Sequence, residues 1–378
     1  MQPAPPVTPP APVVVAPPAA VVTPPAPPVT PPVPPPQAKA KRQITPLEAA
    51  TLGLAVGLVG GYLAGGNAQG QPYQGYEDIR RNRQQTDVDG VTIYREPGRT
   101  IIREDNRIFI RHDENERFRD GGGNLHTVRR DGTIVTFFDR PDGTQIVTVT
   151  DENGQLLKRS RRFRDGREFV IIDNTYEGPR RTYDDEIVYL PPPPFEIQRE
   201  HYVVEAEESD EQGMYEVLTA PPVARLPRRY TLDEVRSSPD LRNHMRSVDV
   251  NTINFDSGSF AVNADQARRL SVIAAPLLQA IKAAPNEVFL IEGHTDAVGS
   301  DVDNLSLSDR RAQAVAAILT KDYGVPPENL TTQGYGKQYP KEKTQEASRI
   351  NRRVTVRRIT PLITGQGAAA QPEAVPQQ

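Results

Sequence analysis

The chain has 378 residues, of which 38 are prolines, and it carries a net charge of −4 with no cysteine. This length allows two or three domains. The absence of cysteine excludes disulfides and cysteine-based zinc sites, and the lack of a basic excess predicts that nucleic acid is not a partner.

The first 43 residues form a proline-rich segment. Proline, alanine, valine and threonine dominate residues 3–36, and a segment of this composition stays extended and buries little apolar surface. Residues 1–43 are therefore predicted to be a disordered spacer. At the other end of the chain, residues 363–378 are predicted to be a disordered tail.

Residues 44–68 form an apolar segment with regularly spaced glycines. No charged residue occurs between Ala49 and Gly66, and at 1.5 Å per residue this helix would span roughly 27 Å, close to the thickness of the bilayer core. Glycine recurs at every fourth position, as Gly53, Gly57, Gly61 and Gly65. Because this spacing places the glycines on one face, where backbones can approach closely, we predict a glycine-zipper membrane helix that allows homo-oligomers. A soluble glycine-rich segment and a signal-peptide core are the alternatives.

Residues 91–175 are predicted to form a β-hairpin repeat domain, a β-meander. Its turns are signalled by four pairs: Asp131-Gly132, Asp142-Gly143, Asn153-Gly154 and Asp165-Gly166. Such pairs predict two-residue turns, because both turn positions need a positive φ. The four glycines are 11, 11 and 12 residues apart, which fits one strand and one turn per repeat. Alternation predicts two sets of residues on shared faces of neighbouring strands: Ile134, Thr136 and Phe138, then Ile146, Thr148 and Thr150.

An arginine cluster and an acidic segment follow in the chain. The arginines are Arg159, Arg161, Arg162, Arg164 and Arg167. We interpret them as a solvated face of the sheet, with a patch for anionic glycans or lipid headgroups as the alternative. Residues 176–228 are acidic and interrupted by prolines, and are predicted to be a linker with one or two strands.

Residues 229–362 are predicted to form the main globular domain. The pattern from Thr231 to Glu234 is a capping box that opens a short helix. Further helices are predicted from Asn263 and from about Leu307, and the latter ends near Gly324. Strands are predicted at 253–255, 288–291, 330–335 and 354–356. This alternation predicts an α+β fold, with a mixed, partly parallel sheet packed on helices.

The stretch from His294 to Arg311 carries the candidate site residues. Asp296 follows a buried strand, at the end of the sheet where ligands collect. Asn304, Ser308 and Arg311 share one helix face. A carboxylate and a guanidinium held close together can bind a zwitterion, because each charge meets its opposite. The pattern indicates binding and not catalysis, and a structural salt bridge between Asp296 and Arg311 is the alternative.

Residues 250–360 resemble the C-terminal domain family of OmpA, a family of peptidoglycan-binding modules. The resemblance rests on motifs in the expected order and spacing: Phe255-Asp256, Gly293-His294-Thr295-Asp296, Gly299, Asn304, Leu307-Ser308, Arg311-Ala312, Gly334, Gly336, Pro340 and Asn351-Arg352-Arg353-Val354. One departure is Ser348, where the family usually has glycine.

This resemblance implies non-covalent binding of the diaminopimelate in peptidoglycan stem peptides, without a cofactor. By the resemblance, Asp296 takes the ammonium group of that ligand and Arg311 its carboxylate. The same pocket is lined by Phe255, Asp256, Thr295, Asn304 and Leu307. The segment 351–353 is predicted to close the sheet edge and support the pocket, with direct ligand contact as the alternative.

The whole sequence is interpreted as a non-enzymatic tether between a bacterial envelope membrane and the cell wall. The outer membrane is favoured, with the binding domain in the periplasm; an inner-membrane, stator-like component of an envelope machine is the alternative. A metal-dependent hydrolase is a further alternative, because Glu292, His294 and Asp296 alternate along one strand. No second histidine lies at ligand spacing and no nucleophile–base pair occurs, so no metal site and no catalytic residue are predicted.

Overall fold

The computed structural model describes residues 75–88, 90–104, 107–119, 124–152, 154–175, 187–192, 202–251, 253 and 255–365. Within these ranges the chain forms three β-sheets, two of them antiparallel and one mixed. The proline-rich spacer, the glycine-zipper segment and nearly all of the C-terminal tail lie outside the described residues. Among the helices that are described, none is long and apolar enough to cross a membrane.

The first sheet begins earlier than predicted. Helix α1, Tyr76–Arg81, leads into four strands paired in sequence order: β1 Gln84–Val88, β2 Val91–Glu96, β3 Arg99–Glu104 and β4 Arg107–His112. Burial of Ile93 and Ile101 gives this small sheet an apolar centre. The predicted meander is therefore two sheets, and only the second contains the 11-residue repeat.

The second sheet follows a one-turn helix, α2, at Glu116–Arg119. It has five strands in sequence order: β5 Asn124–Arg130, β6 Thr133–Asp139, β7 Gln145–Asp151, β8 Leu156–Arg162 and β9 Glu168–Asp173. The predicted alternation is confirmed in β6, where Ile134, Thr136 and Phe138 are the buried residues.

The hairpin turns are of two kinds, which corrects the prediction of uniform two-residue turns. Asp131 and Gly132 have φ of 46° and 74°, so both turn positions are left-handed as expected. At Gly143 only the glycine is left-handed, with φ 79°. There the Arg140 N–H donates to the Thr144 carbonyl at 2.9 Å, and the Gly143 N–H donates to the Arg140 carbonyl at 2.9 Å. This is the longer hairpin loop that ends in a glycine bulge.

The third sheet is mixed and belongs to the C-terminal domain, which confirms the predicted α+β class. Its strand order is β10-β11-β14-β12-β13, with β10 parallel to β11 and β12 parallel to β13. The strands are β10 Val203–Glu205, β11 Ser247–Val250, β12 Phe289–Gly293, β13 Leu330–Gly334 and β14 Val354–Arg358. Val248, Val354 and Phe289 are fully buried in its main core.

Seven α-helices complete the part of this domain that the structure describes. They are α3 Glu211–Thr219, α4 Leu232–Ser237, α5 Pro239–Arg242, α6 Ala264–Arg269, α7 Ser271–Ala283, α8 Asp301–Lys321 and α9 Thr360–Thr364. The predicted capping box of α4 is confirmed, because the Thr231 hydroxyl accepts from Glu234 N–H and the Glu234 carboxylate accepts from Thr231 N–H. Helix α8 ends as predicted before Gly324, whose φ is 74°.

Several predicted boundaries in this domain are wrong. Residues 202–228, assigned to a linker, supply strand β10 and helix α3, whose Leu218 is fully buried in the core. The strand predicted at 253–255 lies earlier, at Ser247–Val250. Helix α8 starts at Asp301 instead of near Leu307, because Ser300 caps it by accepting from the Asp303 N–H.

Buried ion pairs connect the meander sheets to the C-terminal domain. From the first sheet, Arg99 Nε donates to Asp309 Oδ2 at 2.8 Å. From the second sheet, Arg140 and Arg161 both donate to Glu328, whose side chain is fully buried. Burial of each charge has a desolvation cost, which the ion pair and its hydrogen bonds offset, and removal of one partner leaves an uncompensated buried charge.

The interpretation of the arginine cluster as a solvated face is thus wrong for two of its members. Arg159 is fully buried, and its NH2 donates to Glu114 Oε2 at 3.1 Å. Arg161 pairs with Glu328 in the C-terminal domain. Arg162 and Arg167 do stay at the surface, paired with Glu168 and Asp165 respectively. Arg161 therefore holds the second sheet to the C-terminal domain, and Arg159 holds it to Glu114, which lies just before helix α2.

Candidate functional site

The site begins where strand β12 ends and helix α8 crosses it. A Cβ atom on Gly293 would lie 1.9 Å from the Ser308 carbonyl oxygen, and one on Gly334 would lie 2.4 Å from the Asp309 nitrogen. Helix and strand ends therefore touch without intervening side chains, which only glycine allows. The Ser308 hydroxyl fixes this contact, because it accepts from the Gly336 N–H at 2.8 Å.

Arg311 is held in this site by backbone carbonyls alone. Its Nε donates to the Ser259 carbonyl at 2.9 Å, its NH2 donates to the Asp256 carbonyl at 3.1 Å, and its NH1 lies 3.5 Å from the His294 carbonyl. Within the described part of the chain, no carboxylate forms an ion pair with it. Burial and the neighbouring Arg352 lower the pKa of Arg311 to about 10, although Asp296 opposes that shift. Arg311 is thus a fixed, desolvated cation without an ion-pair partner among the residues that the structure describes.

Asp296 does not form the alternative salt bridge with Arg311. Its Oδ2 accepts from Arg352 NH1 at 2.7 Å, and its Oδ1 lies 3.3 Å from the Val298 nitrogen. Arg352 also donates from Nε to the Phe255 carbonyl at 3.2 Å. The site therefore combines one carboxylate with two guanidiniums, so its net charge leaves room for an anionic group.

The segment around Phe255 forms one wall. The guanidinium of Arg311 lies over the Phe255 ring, with 4.8 Å from its central carbon to the ring centroid. Such stacking is favourable for a desolvated cation. Asp256 contributes its backbone carbonyl to Arg311, whereas its side chain is exposed. Leu307 is buried on the same helix as Arg311.

Asn304 shapes the loop that carries Asp296. Its Nδ2 donates to the Val298 carbonyl at 3.1 Å, which ties the loop to the first turn of α8. Thr295 lies at the strand end, where its N–H donates to the Gly336 carbonyl at 2.9 Å. The Thr295 hydroxyl is buried and has no hydrogen-bond partner, so a polar group is available there for a ligand or water.

Arg352 supports the loop that carries Asp296. The sequence predicts that segment 351–353 closes the sheet edge and supports the pocket. Asn351 accepts from the Lys341 and Glu342 N–H groups, and Arg352 donates directly to Asp296. The adjacent arginines of the Asn-Arg-Arg-Val motif were the only signal, because nothing in the spacing says which arginine turns inward.

The metal-site alternative is not supported. Glu292 accepts from Arg357 Nε at 2.6 Å, whereas Asp296 pairs with Arg352. The nearest approach of His294 to Glu292 is 3.9 Å, between Nε2 and Oε2. Across the described ranges, no group of three acidic, histidine or cysteine side chains could hold a metal ion.

Comparisons with known proteins match this part of the chain. Residues 254–353 match the model of the OmpA family. Outer membrane porin F of Pseudomonas aeruginosa is 43% identical over 76 residues, which is 20% of this chain and 22% of that protein. The putative lipoprotein YfiB of Escherichia coli is 45% identical over 73 residues, 19% of this chain and 46% of that protein. The chain thus spans between about a fifth and about a half of the length of these curated relatives.

Solved structures give matches over the same portion. The peptidoglycan-associated lipoprotein of Burkholderia pseudomallei is 26% identical, with 31% of this chain and 91% of that chain covered and a TM-score of 0.24. The periplasmic domain of Helicobacter pylori MotB is 25% identical, with 30% and 70% covered and a TM-score of 0.25. TM-scores at this level carry no argument by themselves. The family match and the curated relatives identify residues 254–353 as an OmpA family domain.

Proposed function

We propose that this domain binds peptidoglycan without catalysis and tethers an envelope membrane to the cell wall. The observation that carries the proposal is Arg311, a buried guanidinium bonded only to carbonyl oxygens. A buried cation normally has a carboxylate partner, because its desolvation is otherwise uncompensated. We infer that the ligand supplies that carboxylate.

Diaminopimelate is the ligand component that fits both charges. Its carboxylate would meet Arg311, and its free ammonium would meet Asp296, which has Arg352 as its present partner at 2.7 Å. The ammonium would either share Asp296 with Arg352 or displace it. The unpartnered hydroxyl of Thr295 offers a further contact. Lysine, which lacks the second carboxylate, would leave Arg311 without a counter-ion.

The resemblance and the relatives support the proposal. The OmpA-like motifs coincide with the residues that line this site, and residues 254–353 match the OmpA family. The outer-membrane names of the curated relatives favour the outer membrane over the inner membrane. We accordingly infer an envelope location with the OmpA-like domain in the periplasm.

Sedimentation with purified sacculi tests the proposal. The full chain should co-sediment with diaminopimelate-type sacculi, and free diaminopimelate should release it. Lysine-type sacculi are the matched control, because they lack only the carboxylate that Arg311 would bind. Asp296→Ala should lose most of the binding, since an unpaired charge at a desolvated contact costs about 2–5 kcal/mol. Equal binding to the two kinds of sacculi would exclude diaminopimelate as the recognised group.

We further propose that residues 44–68 anchor the chain in a membrane. The support is the uncharged run with glycine at every fourth position. Deletion of this segment should release a soluble protein that still binds sacculi. Replacement of Gly57 and Gly61 by leucine should keep membrane association but remove helix pairing. Carbonate extraction of membranes measures the first effect, and cross-linking measures the second. An intact chain that carbonate extracts as freely as the deletion variant would rule out this anchor.

A further inference from the structure

One end of the Arg352 guanidinium is free of hydrogen bonds to the described residues. Its Nε donates to the Phe255 carbonyl at 3.2 Å, and its NH1 donates to Asp296 Oδ2 at 2.7 Å. Its NH2 donates to no described residue and is not one of the fully buried atoms without a partner, so it is open to solvent. The whole side chain is 17% exposed. Arg352 can therefore donate to a ligand and keep the two bonds that fix its position.

The charges around this free end do not balance. Arg352 lies close enough to Arg311 for its positive charge to lower the pKa of that guanidinium, and among the described side chains Asp296 is the carboxylate that opposes the shift. The Asp256 side chain is exposed and is not a cause of the shift. Two guanidiniums thus face one carboxylate. A ligand group with one ammonium and one carboxylate would leave this excess of positive charge unchanged, whereas a second carboxylate would remove it.

Apolar side chains occur on both of the loops that carry these charges. Val298 is two residues from Asp296, Ile350 is two residues from Arg352, and each is 55% exposed. The ion pair of 2.7 Å between Asp296 and Arg352 joins the two loops. A single exposed aliphatic residue is ordinary at a protein surface. Two of them beside one ion pair suit a ligand whose charged groups are separated by methylene groups.

We propose that Arg352 binds a second carboxylate of the ligand through its free NH2, while Asp296 and Arg311 hold the ammonium and the first carboxylate. This inference rests on the function proposed above. The ammonium then shares Asp296 with Arg352 and does not displace it, because Arg352 needs that ion pair to stay in position. Val298 and Ile350 pack against the methylene chain between the charged groups of the ligand.

Two groups in peptidoglycan can supply the second carboxylate. One is the α-carboxylate of the glutamate that precedes diaminopimelate, which is free because that glutamate is joined through its side chain. The other is the C-terminal carboxylate of a stem peptide that ends at diaminopimelate. Both would bind Arg352 by the same chemistry, a charge-assisted hydrogen bond to a carboxylate oxygen, so soluble stem peptides are needed to separate them.

Isothermal titration calorimetry of the full chain with three peptides separates the two sources. The parent peptide is Ala-γ-Glu-diaminopimelate, one derivative is amidated at the glutamate α-carboxylate, and the other is amidated at the C-terminal carboxylate. All three keep the free ammonium and carboxylate that Asp296 and Arg311 hold. We expect one amide to bind about ten-fold more weakly than the parent, because it lacks one charge-assisted hydrogen bond. The amide that loses affinity identifies the carboxylate that is bound.

The variant Arg352→Gln tests whether Arg352 is the residue that binds this group. Its affinity for all three peptides should fall, because Asp296 is held less firmly, and its preference for the parent peptide should disappear. A purely structural Arg352 would lower the affinities and keep the preference. If circular dichroism shows that Arg352→Gln misfolds, Arg352→Lys decides the question, since an ammonium paired with Asp296 has no second edge to offer. Arg130→Gln removes an exposed arginine from β5 and is the control, in which affinities and preference should stay unchanged.

The apolar contact is tested separately. Val298→Ser and Ile350→Ser should each weaken the three peptides alike, by about three-fold, because each loses contact with the methylene chain. Val272→Ser, which changes an exposed valine of α7, is the matched control. Unchanged affinities in both test variants would remove Val298 and Ile350 from the site.

The possible results distinguish this inference from the function on which it rests. Binding of the parent peptide without preference over either amide would overturn the role of Arg352 and leave the proposed function standing. A preference that Arg352→Gln retains would also overturn that role. No binding of any peptide, together with no sedimentation with sacculi, would overturn both.

Discussion

Two adjacent arginines of helix α8 are held in opposite ways. Arg310 donates from NH2 to Glu96 Oε2 at 3.0 Å, so a carboxylate of the first sheet compensates its charge. Arg311 donates only to carbonyl groups. Both side chains are buried. The comparison teaches that burial of an arginine by itself says little. The charge of Arg310 is neutralised by the protein and has a structural role, whereas the charge of Arg311 is the one that we propose a ligand neutralises.

The two faces of helix α8 differ in the same way: one contacts the first sheet, and the other faces the candidate site. Ser306, Asp309 and Arg310 face the first sheet, where Glu96 and Arg99 meet them. The opposite face carries Asn304, Leu307 and Arg311 toward the candidate site. Because helix α8 bears both sets, its contact with the first sheet also fixes the position of the candidate site residues.

The largest effect is expected from Glu96→Gln, which removes the carboxylate that compensates the charge of Arg310. Glu96 is 4% exposed and pairs with Arg83 at 2.7 Å and with Arg310 at 3.0 Å. Loss of its charge leaves two arginines without full compensation, so the free energy of unfolding should fall by about 3–5 kcal/mol. Urea denaturation measures this. Glu77→Gln, which removes an exposed partner of Arg80, is the control and should leave the midpoint unchanged.

The next largest effect is a contrast between two variants: Arg311→Ala should lose binding, and Arg310→Ala should lose stability. Arg311→Ala should weaken sacculus binding by more than about thirty-fold, since the ligand carboxylate loses its counter-charge, at about 2–5 kcal/mol. Arg310→Ala should lower the melting temperature but keep the affinity of the folded protein within about three-fold. Affinities are measured at a temperature where both variants are folded by circular dichroism. Equal loss of binding in the two variants would remove the distinction drawn between them.

Acid should weaken the contact between helix α8 and the first sheet, where Asp309 binds Arg99. Burial opposes the ionisation of Asp309, but His112 and Arg99 outweigh it and hold the pKa of Asp309 well below its ordinary value. A carboxyl whose folded pKa is depressed contributes stability that is present above its unfolded pKa and is lost as pH falls. The melting temperature should therefore drop below about pH 4. Asp309→Asn should show a shallower drop; an unchanged pH profile in this variant would mean that Asp309 contributes nothing to it.

The smallest effect is expected for Asn304→Ala. Asn304 positions the Asp296 loop through one hydrogen bond of 3.1 Å to the Val298 carbonyl. Such a bond contributes about 1 kcal/mol, so sacculus binding should weaken by roughly five-fold with little change in stability. Equilibrium sedimentation over a series of sacculus concentrations resolves this change. A loss as large as that of Arg311→Ala would show that Asn304 contacts the ligand itself.

Local sequence patterns predicted several local features of this chain. The capping box at Thr231, the glycine that follows α8 and the left-handed pair Asp131-Gly132 all depend on residues within a few positions of one another. The motifs around Asp296 and Arg311 were recognisable for a related reason, because they recur as a set in a known family.

Contacts between distant segments could not be predicted in this way. No pattern near Arg161 indicates that its partner is Glu328, 167 residues later. The strand and helix within residues 202–228 were missed because the acidic, proline-interrupted composition of this segment resembles that of a linker, although β10 pairs with β11. The partnership of Arg352 with Asp296 likewise depends on which way a loop turns, and composition does not encode that.

The long stretch of chain between the first two sheets and their partners in the C-terminal domain has a consequence for biosynthesis. Arg99 meets Asp309 and Arg117 meets the Pro327 carbonyl, each across 210 residues. At roughly 5–20 residues per second, a ribosome needs about 10–40 seconds to make the intervening chain. During this interval Arg99 has its local partner Glu116 but not Asp309. The N-terminal strands can therefore reach their final arrangement only after most of the C-terminal domain has been synthesised, and contacts of such long range also slow folding itself.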